Sequence, residues 1–149
     1  MTTSELDFSG LNHLKDADHA GRQSVLDDFL IWLDRPANQP RQICGTLYGP
    51  AGSCCALGGL GAVLQAHGYA RIQPTGDGRV YLTMPSLDGQ AAAGWRSETH
   101  MAMSVLDALG LRPHWEAIIT LNDVSHAPFS EIGQYLHAQH PNAPETLPS

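Results

Sequence analysis

The stretch Gly52-Ser53-Cys54-Cys55-Ala56-Leu57-Gly58-Gly59-Leu60 decides the fold, because it opens a helix inside a 29-residue run without charged side chains, residues 42–70. Ser53 is a typical N-cap, and Gly68 is suited to end the helix after about His67. The glycines at 58, 59 and 61 each cost a helix roughly 1 kcal/mol relative to alanine. We therefore predict that a neighbouring element packs closely on the glycine face and that this helix lies at the centre of the domain.

Cys54 and Cys55 allow two interpretations. A thiol at a helix N-terminus gains thiolate character and can act as a nucleophile, whereas a free cysteine is also a common core residue. A nucleophile needs a base within hydrogen-bond reach, and thirteen residues of helix place His67 roughly 20 Å from Cys54. His100, His114 and His126 stay possible bases. We expect packing residues here, with catalysis by Cys54 or Cys55 as the alternative.

The flanking patterns predict an α+β domain with four to five helices around the Gly-rich helix. Apolar residues at helical spacing predict a helix from about residue 24 to Pro36, and others about residues 99–109, 114–122 and from Pro128 onward. Residues 42–47 favour a strand or an extended segment. We expect residues 1–19 to form a flexible arm, residues 20–140 a single domain, and residues 141–149 a disordered tail.

A β-hairpin is indicated after the central helix. Alternating apolar and polar residues at 69–73 and 79–83 flank the turn sequence Pro74-Thr75-Gly76-Asp77-Gly78. Residues 84–96 are rich in turn-forming residues, and Trp95 is the expected anchor in that segment. We expect the hairpin to cover one side of the helices.

Charge excludes one class of partner. The chain has 8 basic and 15 acidic residues, for a net charge of −7, and no segment concentrates lysine or arginine. Because affinity for a phosphate backbone depends on clustered basic side chains, we expect no direct nucleic-acid binding. Residues 121–133 have the spacing of a helix-turn-helix motif but carry no lysine or arginine, so we expect a packed helical hairpin there.

The sequence also bears on the compartment and on metal or cofactor binding. The N-terminal residues lack the features of a signal peptide, and no apolar stretch is long enough for a membrane span, so we expect a cytoplasmic protein. Three cysteines, two of them adjacent, are a poor disulfide framework. His137 and His140 stand near a helix end without a recognised ligand spacing, and we expect no metal and no cofactor.

The order of short motifs resembles a group of small phage and prophage proteins of uncharacterised function. The specific matches are the central Cys54-Cys55-Ala56-Leu57-Gly58 and the C-terminal Leu121-Asn122-Asp123 followed by Phe129-Ser130-Glu131-Ile132. The likeness covers about residues 25–137 and implies a phage-related origin, but no reaction. The chain departs from the group at residues 58–61, where bulkier aliphatics are usual.

These observations lead to an expected function. We expect an acidic accessory protein of a phage or mobile element that binds, and inhibits or sequesters, a host protein or small signalling molecule, as in counter-defence. The candidate binding residues are Ser53, Trp95, Asn122 and Asp123, although the last two are also typical of turns, where they satisfy backbone groups. The alternative is a hydrolase or transferase that uses Cys54 or Cys55.

Overall fold

Five α-helices and a three-stranded antiparallel sheet make up the part of the chain that the computed structural model describes, residues 10–85 and 94–139. The predicted α+β class is confirmed. The helices are α1 (His19–Asp34), α2 (Ala56–Ala66), α3 (Met103–Ala108), α4 (Trp115–Ile119) and α5 (Phe129–Gln139). The strands are β1 (Arg71–Pro74), β2 (Val80–Pro85) and β3 (Gly94–Ser97).

Helix α2 is the buried centre that the uncharged run predicts. Eight of its eleven residues are buried: Ala56, Leu57, Gly58, Gly59, Leu60, Gly61, Val63 and Leu64. It packs against α1, α4 and β1. An apolar helix of this kind is stable only when other elements cover nearly all of its surface, which explains its position.

The glycines of α2 have the close neighbours that the sequence predicts. A Cβ atom at Gly58 would lie 2.1 Å from the carbonyl oxygen of Leu47, and one at Gly59 would lie 2.2 Å from the ring of Trp32. A Cβ at Gly61 would lie 2.1 Å from the hydroxyl of Tyr48. That hydroxyl donates a hydrogen bond to the carbonyl of Gly58 at 2.9 Å. The glycines therefore allow a loop and α1 to pack directly on the backbone of α2.

Helices α1 and α5 form the other large contact of the core. Helix α1 buries one apolar face, as its periodicity predicts: Val25, Leu26, Phe29, Leu30 and Leu33. Helix α5 contributes Phe129, Ile132 and Leu136, and Phe129 packs on Trp32 with ring centroids 5.0 Å apart. Asp18 caps α1 by accepting a hydrogen bond from the backbone N–H of Gly21 at 2.8 Å. The core thus joins both halves of the chain.

The predicted hairpin is present, and a third strand extends it. β1 and β2 pair with Ile72 opposite Leu82, and β2 pairs with β3 so that Met84 lies opposite Trp95. Leu82 and Met84 are fully buried beneath the helices. The third strand was not predicted, because glycine and proline near residues 84–94 indicate turns more strongly than a strand.

Two predicted helix starts are wrong. Helix α2 begins two residues later than an N-cap at Ser53 predicts, because Cys55 is its N-cap. The Ser53 hydroxyl instead donates to the carbonyl of Pro50 at 2.7 Å, which closes the preceding turn. Helix α3 starts at Met103 and not at residue 99, because Ser97 accepts the backbone N–H groups of residues 99 and 100 in a turn. Residues 42–47, predicted as a strand or an extended segment, join no sheet: residues 44–47 form bends, and only isolated bridges connect Gln42 and Tyr48 to Cys54.

The predicted arm lies partly in the described residues. Residues 14–16 form a short 3-10 helix, and Leu14 is buried in the core with 1% of its surface exposed. The tail predicted at 141–149 lies outside the described residues. Within residues 10–85 and 94–139, no helix has the length and apolar character needed to cross a membrane.

Candidate functional site

A cavity of about 460 Å³ opens beside the N-terminus of α2. Its walls come from the loop before α2, from α2 itself, from the start of α3, and from α4 with the turn that follows. The lining is mostly apolar and includes Leu47, Leu57, Met101, Met103, Leu106, Trp115, Ile118 and Ile119. The polar lining groups are contributed by Thr46, Cys55, Thr99, His100, Asn122 and Asp123. Small-molecule sites in proteins have this volume and this balance of apolar walls with few polar groups.

Asn122 connects the polar groups beside the cavity through four hydrogen bonds. Its Oδ1 accepts hydrogen bonds from Gln42 Nε2 at 2.9 Å and from the backbone N–H of Ala56 at 3.2 Å. Its Nδ2 donates to the carbonyl of Ile43 at 2.8 Å and to Asp123 Oδ1 at 2.7 Å. An amide has two donor hydrogens and two acceptor lone pairs, so these four contacts use its full capacity. Asn122 therefore caps α2 and fixes the loop, and it has no hydrogen bond left for a ligand.

A single π-helical turn, Thr120–Val124, places Asn122 and Asp123 side by side. The turn is closed by a hydrogen bond from the backbone N–H of Ser125 to the carbonyl of Thr120 at 2.9 Å. Such turns are frequent at functional sites because the extra residue changes the direction of side chains on one helix. Here the turn directs Asn122 into the core, with 2% of its surface exposed, and leaves Asp123 half-buried at the cavity.

Asp123, unlike Asn122, can still accept further hydrogen bonds. Its Oδ1 accepts from Asn122 and from the backbone N–H of Gly45 at 3.3 Å. Among the described residues, no basic side chain forms an ion pair with this carboxylate, and nothing donates to its Oδ2. Asp123 is therefore the charged group that the cavity offers to a ligand.

The six residues singled out from the sequence are separated by the fold. Cys55, Asn122 and Asp123 line the cavity. The other three do not line it: Ser53 closes the turn before α2, Cys54 lies in the core, and Trp95 lies on β3 opposite Met84. The cavity thus brings together half of the candidate set.

Burial makes both central thiols poor nucleophiles. Cys54 has 5% of its surface exposed, and burial, reinforced by the neighbouring Cys55, raises its pKa to about 12. Burial also raises the pKa of Cys55, although its sulfur accepts the backbone N–H of Gly58 at 3.4 Å, a contact that lowers it. No histidine of the described residues forms a hydrogen bond with either sulfur. The thiol at the helix N-terminus acts here as a cap.

The thiol that does meet a histidine is Cys44, which was not among the candidate nucleophiles. Its exposed Sγ lies 3.4 Å from Nδ1 of His126 and donates to the carbonyl of Asn122 at 3.2 Å. Cys44 and His126 are 82 positions apart, and neither belongs to a recognised motif, so no signal in the sequence predicts their contact. The pair lies beside the cavity but outside its lining.

Helical periodicity does not identify the apolar lining residues. Met101, Trp115 and Ile118 fall within the helices predicted at 99–109 and 114–122, and periodicity alone does not distinguish a packed face from a cavity wall. Met103 is 37% exposed, but that exposure follows from the fold, so the sequence alone does not mark it as a lining residue.

The arrangement can hold a small molecule but offers little for chemistry. Among the described residues, no three histidine, cysteine, aspartate or glutamate side chains are grouped so as to bind a metal ion. The cavity combines apolar walls, one unpaired carboxylate and a rigid hydrogen-bonded floor. Comparisons of the chain with protein-family models, with curated proteins and with solved structures find no match in any of the three.

Proposed function

We propose that the protein is a non-catalytic accessory protein of a phage or mobile element that sequesters a small host molecule in the cavity beside α2. It acts in the cytoplasm, where it lowers the free concentration of a molecule used by the host, as in counter-defence. The observation that carries this proposal is the cavity of about 460 Å³ with its apolar walls and unpaired Asp123.

The cavity favours a small molecule over a host protein as the partner. A protein partner generally needs a broad apolar patch, and in the described residues the large apolar side chains that are exposed are Met103 and Val124. Met103 lines the cavity, whereas Val124 lies outside its lining. These two side chains do not form a broad apolar patch among the described residues, whereas the concave site with its apolar walls suits a small ligand.

A thiol-dependent hydrolase or transferase has less support. The reaction needs an accessible thiolate beside a base, and burial raises the pKa of both Cys54 and Cys55. Cys44 has a histidine neighbour, but it lies outside the cavity that would bind a substrate.

The test is capture of small molecules from a bacterial lysate by the purified full-length protein. The protein is denatured, and the released molecules are identified by liquid chromatography and mass spectrometry. A blocked variant, Met103→Trp with Ile119→Trp, adds bulk to the cavity lining. Its matched control, Val124→Trp, adds the same side chain at a position that is 71% exposed and outside the lining.

We expect one small molecule to be recovered with the wild-type protein and with Val124→Trp, and to be lost from the blocked variant. Recovery of no small molecule, together with a host protein that binds all three forms equally, would contradict the proposal. Turnover of a lysate component by the wild-type protein would also contradict it, since the proposed function is non-catalytic.

A further inference from the structure

The ligand's chemical class follows from the apolar and the polar parts of the cavity lining, provided that the proposed function holds. The apolar part is buried: Ile118 is fully buried, Leu106 is 1% exposed, and Met101 is 5% exposed. Trp115 adds an aromatic surface to these walls. A planar aromatic or branched aliphatic group is the kind of body that such walls bind.

The polar lining groups present hydrogen-bond acceptors. Two of the backbone donors beside them are already used, because Gly45 N–H donates to Asp123 and Ala56 N–H donates to Asn122. The hydroxyl of Thr46 donates to the carbonyl of Glu98 at 2.6 Å, which leaves its oxygen lone pairs available. The carboxylate of Asp123 has one oxygen without a described partner. These acceptors favour a ligand group that donates hydrogen bonds.

The charge around the cavity favours a cationic ligand group. Asp123 forms no ion pair within the described residues, and His100 is the one lining residue that can carry a positive charge. His100 is exposed, and its Nδ1 is 2.5 Å from the hydroxyl of Thr99. The net charge of −7 adds a field that attracts cations. An ammonium group supplies three donors and the opposite charge, and charge-assisted hydrogen bonds are the strong ones.

We propose that the cavity binds primary amines with an aromatic or branched aliphatic body, with the ammonium group on Asp123 and the body against Met101, Trp115 and Ile118. This inference rests on the proposed function and names its ligand class.

The experiment compares three probes that share one indole body, tryptamine, indole-3-ethanol and indole-3-propionate, by isothermal titration calorimetry with the full-length protein. We expect tryptamine to bind at least about tenfold more tightly than the neutral alcohol and the acid, because only the amine gains a charge-assisted bond. Asp123→Asn should reduce that preference to within about twofold. It keeps an oxygen that can accept from Gly45. Circular dichroism and thermal melting verify that it folds. Asp107→Asn, an exposed carboxylate outside the cavity, should leave the preference unchanged.

Two results would overturn the amine inference. In the first, the alcohol or the acid binds as tightly as tryptamine, or the preference for tryptamine survives in Asp123→Asn. In the second, none of the three probes binds. Either result leaves the proposed function standing if lysate capture still yields a small molecule that the blocked variant loses, so the two failures are distinguishable.

Discussion

Asn122 is the residue on which three separate segments of the site depend. One side chain caps α2 at Ala56, holds the carbonyl of Ile43 and positions Asp123. The neighbouring Asp123 carries a charge that has no ion-pair partner among the described residues. Asn122 therefore has a structural role, and Asp123 is the residue proposed to contact the ligand. Typical turn behaviour predicted that Asn122 would satisfy backbone groups, but the identity of those groups, 66 and 79 positions away, depends on the tertiary fold.

Replacing Asn122 by alanine should lower the free energy of unfolding by about 3 kcal/mol or more, because a buried N–H and a carbonyl each lose a partner at about 1–3 kcal/mol. Urea denaturation followed by circular dichroism measures this loss. Asn12→Ala, at an exposed position, should stay within about 0.5 kcal/mol of wild type. An equal, small effect for both variants would show that the network does not support the fold.

The three cysteines should differ sharply in reactivity. Iodoacetamide at pH 7 should label Cys44 in the native protein and leave Cys54 and Cys55 unlabelled, since Cys44 is exposed and burial raises the pKa of the other two thiols. Mass spectrometry of the intact protein counts the labels, and Cys44→Ala identifies the site. Fast labelling of the native Cys44→Ala variant would contradict this prediction and would make Cys54 or Cys55 a candidate nucleophile again.

At the scale of elements, α2 owes its position to its glycines. They remove the side chains that would separate α2 from the carbonyl of Leu47 and from the ring of Trp32. The close packing of these neighbours offsets the helix stability that is lost through the low helix propensity of glycine. The same packing brings the loop at 45–47 next to the N-terminus of α2, which forms one wall of the cavity.

Alanine at Gly58 or Gly59 should destabilise the protein by about 1–3 kcal/mol or more through overpacking, despite the better helix propensity of alanine. Gly58→Ala should be the worse of the two, because its obstacle is a backbone carbonyl and not a side chain. Gly76→Ala, with open space around the added Cβ, is the control and should change little. Thermal melting of the three variants ranks them. Stabilisation by Gly59→Ala would contradict the packing assigned to α2.

Local patterns were enough for α1, the hairpin and the central placement of α2, because periodicity, turn residues and glycine content act over a few residues. They were not enough for the boundary of α2, where Ser53 was free to close one turn instead of capping the next helix. The cavity could not be predicted from the sequence for a different reason. Its walls come from residues 45–47, 55–57, 99–106 and 115–123, and whether Trp115 fills a core or lines a space depends on how these segments meet.

At the scale of the whole molecule, a core shared by both halves of the chain supports a rigid concave site. Helices α1 and α5 pack together, α2 lies beside them, and the cavity opens at the edge of this group. Burial raises the pKa of three groups near the centre, Cys54, Cys55 and Tyr48, above their ordinary values. The folded protein therefore holds these protons more tightly than the unfolded chain does, so alkaline pH lowers the stability of the fold.

Stability should therefore fall as the pH rises above about 9. The unfolded chain releases the Cys54 proton near pH 9.0, whereas the folded chain retains it up to about pH 12, so stability is unchanged below this interval and declines through it. The raised pKa of Tyr48 adds to the decline in the same direction. Urea midpoints measured between pH 7 and 11 test this. Cys54→Ala should show a shallower decline, and an identical slope would contradict the assignment to Cys54.

The most direct test of the central claim is a methyl NMR titration of the full-length protein with the protein-free, low-mass fraction of a bacterial lysate. If the cavity captures a small molecule, the methyl signals of Met101, Met103, Ile118 and Ile119 shift, while those of Ile72 and Ile132, outside the cavity lining, stay in place. Unchanged signals from the four lining residues, or shifts confined to the two remote isoleucines, would contradict the account.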